Sequence, residues 1–249
     1  MKIETLLSPA ELPALAHRDL SQTVCVVFDI LRATTTFVTA LNNGAAAIIP
    51  ACEIAEALAF HKKNPRTLLA GERDGVKIHG ALSGGREFDF GNSPREFTPE
   101  RVHGHTIAST TTNGTRALRA CAGAKAVLAA SFLNLQATAD FLKAEKSILL
   151  VCAGTGTGVS LEDVLAAGAL VELLAARVNA HPILTDASLA ARHTFWQMGA
   201  DLTNALGSTA NGRRLLGLPD LRADVAFCAQ RDIFNFVVAL NTHGALQKL

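Results

Sequence analysis

The sequence predicts an α/β protein, with a layered, mixed or mostly parallel sheet flanked by helices. Three observations carry this expectation. Short apolar runs alternate with helical patterns for most of the length, which is the signature of βαβ units. Four of the apolar runs stop at glycine, threonine, serine, asparagine or a charged residue before a helix begins. The 249 residues are 49% hydrophobic, enough for a substantial core. Residues 1–249 read as one domain, with room for two lobes and an active site between them.

Taken in order, Val24–Phe28 is a run of small and branched apolar residues, which reads as a short buried strand. It stops at Asp29, a charge that the middle of a buried strand would not hold. A helix follows over residues 35–42, closed by the turn pair Asn43-Gly44. Strands over 46–49 and 67–70 flank a helix over 54–62. A glycine-rich, charged segment then runs from 71 to 99; structureless loops of that length are uncommon and often functional. Strands over 106–108 and 126–130 alternate with helices over 113–122 and 135–144. A strand over 147–152 leads through a glycine turn into a helix from 161 to about 177, apolar nearly all round. Past residue 180 the pattern changes: 186–198 and 203–216 read as helices, and 225–228 as one last strand.

Bulk properties exclude several classes. The formal net charge is +1, so no global field draws the chain to nucleic acid or an anionic membrane. Aromatic residues make up 5% and there is no Tyr, which argues against base-stacking platforms. The five cysteines, at 25, 52, 121, 152 and 228, show no C-x-x-C or Cys/His spacing of a zinc site. No basic stretch precedes an apolar one at the start, and no run of eighteen apolar residues occurs. The expectation is a reduced, cytoplasmic protein that binds neither nucleic acid nor membrane.

Four segments share one grammar, in which a strand ends in polar residues and a helix begins. They are Asp29-Ile-Leu-Arg32-Ala-Thr-Thr-Thr36, Gly71-Glu72-Arg73-Asp74-Gly75 (with Asn92-Ser93-Pro94-Arg95 later in its loop), Ser109-Thr110-Thr111-Thr112-Asn113-Gly114-Thr115-Arg116, and Gly154-Thr-Gly156-Thr-Gly158-Val-Ser160-Leu-Glu162-Asp163. Ligands of open α/β sheets bind outside the carboxyl ends of strands. Exposed N–H groups at helix starts suit an anion, and arginines add forks matched to phosphate or carboxylate. Each segment also has a plain structural reading. Asp29 could cap its helix with Arg32 paired to it on the surface. The 109–115 run could be a polar turn with an Asn or Thr cap. Ser160-Leu-Glu162-Asp163 has the form of a capping box, and acids favour a first helical turn. Against that, Glu162, Asp163 or both could join Asp29 around a hard cation such as Mg²⁺, which takes one or two carboxylates plus waters and substrate oxygens.

Familiar chemistries fit poorly. The 154–158 turn has no lysine, so it is not a P-loop. As a dinucleotide fingerprint its third glycine falls one residue early, and no acid ends a following strand. Asp29 lacks a second aspartate two residues on, no Cys has an Arg six residues later, and the eight His show no paired-ligand spacing.

Together FDILRATTT (28–36), GER (71–73), FGNSPREF (90–97), STTTNGTRAL (109–118), CAGTGTGVSLEDVLAAGA (152–169) and DVAFCAQRD (224–232) resemble the 2-phosphosulfolactate phosphatase (ComB) family, in order, across residues 24–232. The chain departs from the family at Phe234-Asn-Phe-Val, where a proline often stands, and at 79–86, which reads as a local insertion. The resemblance implies a ComB-like α/β fold and a Mg²⁺-dependent hydrolysis of 2-phospho-3-sulfolactate to sulfolactate and phosphate, a step towards coenzyme M. It implies Asp29, Arg32, Glu162 and Asp163 as catalytic residues, with Asp29, Glu162 and Asp163 on the metal. Arg73, Asn92, Ser93, Thr110, Thr111, Thr112, Asn113 and Gly114 would bind the anionic small-molecule substrate. The apolar content makes a homodimer plausible. Two other classes stay open on the residues alone: a non-catalytic binding protein for a phosphorylated or sulfonated acid, and a nucleotide-dependent oxidoreductase using the 154–158 turn.

Overall fold

A computed structural model describes residues 1–177 and 182–249. From the start come strand β1 (Lys2–Leu6), a 3-10 segment (Pro9–His17), β2 (Val24–Phe28), α1 (Ala33–Asn42), β3 (Ala47–Ala51), α2 (Ile54–Lys63), β4 (Leu68–Arg73), β5 (Val76–Lys77), and the short α3 (Gly80–Ser83) and α4 (Pro99–Val102). Then β6 (Thr106–Thr110), α5 (Gly114–Ala120), β7 (Ala126–Ala130), α6 (Leu135–Leu142), β8 (Ser147–Cys152) and α7 (Leu161–Arg177) continue the alternation. Further along lie β9 (Ile183–Leu184), α8 (Asp186–Met198), α9 (Leu202–Ser208), α10 (Ala210–Leu216), α11 (Arg222–Cys228), and a hairpin of β10 (Val238–Leu240) and β11 (Leu246–Lys248).

The strands form one eleven-stranded sheet in the order β5-β4-β6-β3-β11-β10-β7-β2-β8-β1-β9. β3, β6 and β4 pair in parallel, and so do β7, β2, β8 and β1. The hairpin pairs antiparallel with β7 on one side and with β3 on the other. The two parallel groups therefore run in opposite senses, joined through β10 and β11. The sheet wraps: inward residues of both groups (Cys25, Val27, Ile48, Ile107, Val127) share one core with Phe37 and Leu41 of α1 and Leu118 of α5. A second core on the other face gathers Val26, Phe28, Leu150 and the apolar stripe of α7. β2 is buried on both faces, which explains its unbroken apolar run. Full burial of one such side chain contributes about 1.5–3 kcal/mol.

The α/β class holds, with corrections at the edges. Residues 225–228 are helix, not strand: Val225 and Cys228 are buried in α11, and a short apolar run cannot be told from a buried helical turn by periodicity. The helix expected over 203–216 is two, because the Thr209 hydroxyl accepts the Gly212 amide at 3.0 Å and restarts the chain as α10. β1, β9 and the hairpin are strands that the alternation did not reveal. The 71–99 segment is not structureless; it carries β5, α3 and a 3-10 turn at Pro94–Glu96. The segment 79–86 forms α3 and its flanks.

Candidate active site

The four polar strand ends do meet, though not as parallel neighbours on one edge. The wrap of the sheet brings the ends of β2 and β8 against those of β4 and β6. Between them is a cavity of about 260 Å³, lined by Asp29, Arg32, Glu72, Asn92, Thr112 and Asn113 among others.

Asp29 leaves the end of β2 half-buried. Its Oδ1 accepts the Ala33 amide at 3.1 Å, and the Thr34 hydroxyl donates to its backbone carbonyl at 3.1 Å. Asp29 thus takes one free amide at the start of α1, although the N-cap position itself is Arg32. Oδ2 faces α5 at Gly114: a Cβ there would lie 2.5 Å from it. Only glycine lets the start of α5 come this close to the carboxylate. Burial, then the neighbouring Glu72 and Glu162 carboxylates, raise the Asp29 pKa to about 7, against the Ala33 amide, which lowers it.

Arg32 does not pair with Asp29 on the surface. It is buried, donating from Nη1 to Asp224 Oδ2 at 2.7 Å and from Nη2 to the Gly75 carbonyl at 2.8 Å. Ser93 donates its hydroxyl to the other Asp224 oxygen at 2.7 Å. Arg95, partly exposed, lies 3.6 Å from the same carboxylate. Ser93 is thus a support for Asp224 rather than a wall of the cavity.

Glu162 and Asp163 are both buried at the start of α7. Asp163 does not close a capping box. Its Oδ1 accepts the Ile30 amide at 2.8 Å and its Oδ2 the Gly154 amide at 3.0 Å, which clamps the ends of β2 and β8 together. Burial first, then Asp29 and Glu162, push its pKa well up, while the two amides pull it down. Ser160, freed from the box, meets the Thr155 hydroxyl at 2.7 Å. Glu162 Oε1 accepts from Asn211 Nδ2 at 2.6 Å, and Asn211 also donates to Thr155 Oγ1 at 2.7 Å.

The threonine turn after β6 is organised by Glu72. Its Oε1 accepts the amide and the hydroxyl of Thr112, each at 2.9 Å, and its Oε2 accepts the Gly75 amide at 2.7 Å. Asn113 donates to the carbonyls of Ala153 (2.9 Å) and Gly156 (3.1 Å), tying this turn to the glycine turn after β8. Thr110 accepts Arg73 at 3.1 Å, and Thr111 pairs with Thr115 inside the helix start. Arg73 is therefore turned towards Thr110 and its own strand, away from the cavity wall. Arg116 pairs with Glu53 at 3.0 Å on the surface.

Of the residues read from the sequence, Asp29, Arg32, Asn92, Thr112 and Asn113 line the cavity, with Glu162, Asp163 and Gly114 packed around it. Sequence reasoning missed Glu72, Asn211, Arg214 and Asp224. Glu72 carried a usable signal, an acid at a strand end beside the arginine that was chosen instead. The other three sit on helices far along the chain, with no strand-end grammar to mark them.

Chemically, Asp29, Glu72, Glu162 and Asp163 are a buried anionic cluster with no guanidinium of its own, since Arg32 is already matched by Asp224. Asp29 Oδ2 and Glu162 Oε2 accept no hydrogen bond from a described residue, whereas both oxygens of Asp163 and of Glu72 are engaged. Among the described residues no three His, Cys, Asp or Glu side chains form a ready-made metal-ligand set. The cluster fits an ion that takes one or two carboxylates and completes its shell with water and substrate oxygens, which is the habit of Mg²⁺. Cys152 is buried and its thiol pKa is raised, by burial first and then by Asp163, so it belongs to the core. No helix among the described residues is long and apolar enough to cross a membrane.

Comparison with known proteins adds a direct finding. A family model described as 2-phosphosulpholactate phosphatase matches residues 10–243. A protein of Thermotoga maritima named "Probable 2-phosphosulfolactate phosphatase" is 41% identical over 86% of this chain and 88% of its own length. Proteins with the same name in Caldanaerobacter subterraneus subsp. tengcongensis and Synechococcus sp. are 40% and 38% identical, covering 90% and 99% of both chains respectively.

Proposed function

Because the chain belongs to the 2-phosphosulpholactate phosphatase family, we propose that it hydrolyses 2-phospho-3-sulfolactate to 3-sulfolactate and phosphate. The observation that supports this reading is the gathering of Asp29, Glu72, Glu162 and Asp163 from two strand ends and a helix start around one polar cavity. Such a concentration of buried negative charge suits a site whose work begins when a cation and a phosphoryl group arrive together.

In this reading Asp29 and Glu162, each with a carboxylate oxygen free of hydrogen bonds from described residues, would hold Mg²⁺. When bound, the ion supplies Lewis-acid polarisation of a phosphoryl oxygen and neutralises charge. Asp163 and Glu72 are positioning residues. The first fixes the backbone at Ile30, next to Asp29, and at Gly154, and the second fixes the Thr112 turn. Arg32 presents a guanidinium whose charge is offset by Asp224, so it orients phosphoryl oxygens by directed N–H groups more than by net charge. Thr112 and Asn113 form the facing wall and confine the ester against that guanidinium. The sequence-based assignment of Asp163 to the metal is thereby narrowed to Asp29 and Glu162. Assignment of the sulfonate or carboxylate to Arg73 is set aside because Arg73 faces Thr110. The expectations of a cytoplasmic homodimer acting towards coenzyme M belong to the same proposal and rest on the family resemblance.

A panel of phosphorylated three-carbon acids, assayed for released phosphate with Mg²⁺ and with EDTA, tests the reading. Release from phosphosulfolactate that needs the divalent ion is the expected result. Tight binding of these acids with no phosphate released under either condition would replace the phosphatase by a binding protein.

A further inference from the structure

One guanidinium on the cavity wall is not committed. Arg32 is matched by Asp224, and Arg73 is turned to Thr110. Arg214 lines the same cavity, is exposed, and makes no ion pair or hydrogen bond with any described residue. It projects from α10, three residues after Asn211, and residues at that spacing share a helix face. The helix that steadies Glu162 through Asn211 therefore also carries a positive charge to the cavity.

The place where this guanidinium rests is built. Asp74 and Gly75 form the two-residue turn between β4 and β5, both with left-handed backbone (φ of 55° and 76°), the pattern of an Asp-Gly hairpin turn. Glu72 holds the Gly75 amide and Arg32 holds its carbonyl. Arg214 lies flat against the open face of this glycine: a Cβ at Gly75 would fall 2.8 Å from Nη2 and 3.0 Å from Cζ. A side chain at Gly75 would displace the guanidinium.

We infer that Arg214 is the specificity-determining residue that recognises one of the two acid groups the substrate carries besides its phosphate, the sulfonate or the carboxylate. The inference rests on the phosphatase reading and deepens it. The substrate needs two kinds of positive charge. The Asp29–Glu162 side would hold the cation that serves the phosphate, and Arg214 is the unmatched fork that can take a second anion with paired N–H groups.

The test is kinetic, with a binding arm. Arg214→Ala and Arg214→Lys are assayed against phosphosulfolactate and against 2-propyl phosphate, which has no second acid. Arg214→Ala is expected to lower kcat/KM for phosphosulfolactate on the order of 10- to 100-fold, mostly in KM, the loss typical of a charge-assisted hydrogen-bonded contact. The same variant changes the 2-propyl phosphate rate less than about threefold, which also reports an intact fold, and Arg214→Lys recovers part of the loss. Equal effects on both esters, or no effect on either while the unaltered protein is active, overturn the inference and leave the phosphatase reading standing. If the unaltered protein releases phosphate from neither ester, the phosphatase reading falls. Calorimetric titration with 3-sulfolactate then decides: binding weakened on the order of tenfold or more by Arg214→Ala supports the role of Arg214, and binding that is unchanged or absent overturns it.

Discussion

Arg32 and Asp29 leave the same strand three residues apart, and their surroundings are built on opposite terms. Around Arg32 everything balances. A buried guanidinium meets a fully buried carboxylate at 2.7 Å, Ser93 takes the second Asp224 oxygen, and the Gly75 carbonyl takes the second guanidinium nitrogen. Around Asp29 nothing balances. Four acids crowd together, burial and mutual repulsion raise the pKa values of Asp29 and Asp163, and backbone amides supply the main relief. The balanced cluster is a strut that joins α11 to the end of β2. The unbalanced one is where the proposed cation would sit, and buried groups pushed away from their ordinary pKa mark functional sites.

Four experiments would break or sharpen that contrast, from the largest effect to the smallest. Replacing Arg32 by Ala leaves Asp224 buried without its guanidinium partner, with only the Ser93 hydroxyl and the partly exposed Arg95 beside it, so chemical denaturation should show a loss of about 3–5 kcal/mol. A loss under about 1 kcal/mol would mean the strut is no strut. Asp29→Asn should do the reverse: phosphate release falls on the order of 10²-fold or more, while the melting temperature measured in chelator holds or rises because one repelling charge is gone. A clear drop in that melting temperature would show that the acids are not in conflict.

The third experiment follows the pH. Asp29 has a folded pKa of about 7, above the unfolded value of about 3.9, so the folded state binds its proton more tightly. Its contribution to stability is full below about pH 4 and is lost as pH rises through about 7. In chelator, melting temperature should therefore fall between about pH 4 and 7. At pH 8, Mg²⁺ at about 100 times its Kd should restore about 2.7 kcal/mol. A profile indifferent to the ion would remove Mg²⁺ from the account. Last, Gly114→Ala puts a methyl group into contact with Asp29 Oδ2. Turnover should drop on the order of tenfold through misplacement of the carboxylate, with near-native circular dichroism; unchanged turnover would show that Asp29 has room to spare.

Much of this was legible in the sequence, for a physical reason. Buried strands are apolar to their last residue, so a charge such as Asp29 announces where a strand leaves the sheet, and the same rule located the turns after β6 and β8. The rule fails where a contact is made by a helix that folds over from elsewhere. Asp224 reaches Arg32 across 192 positions of chain, and Asn211 and Arg214 look like ordinary surface helix residues. Arg73 misled because a guanidinium beside a polar turn reads as an anion ligand, while its neighbour Glu72 turned out to hold the turn. The opposed running of the two strand groups was also hidden, because β10 and β11 are three residues each, too short to show alternation.

That short hairpin orders events during synthesis. Residues 238–248 are translated after every other described strand, yet they are the seam between the group that carries Glu72 and the group that carries Asp29. A nascent chain halted before the seam already holds all four acids and lacks the stitch that closes the sheet: chemistry written early, geometry delivered at the finish.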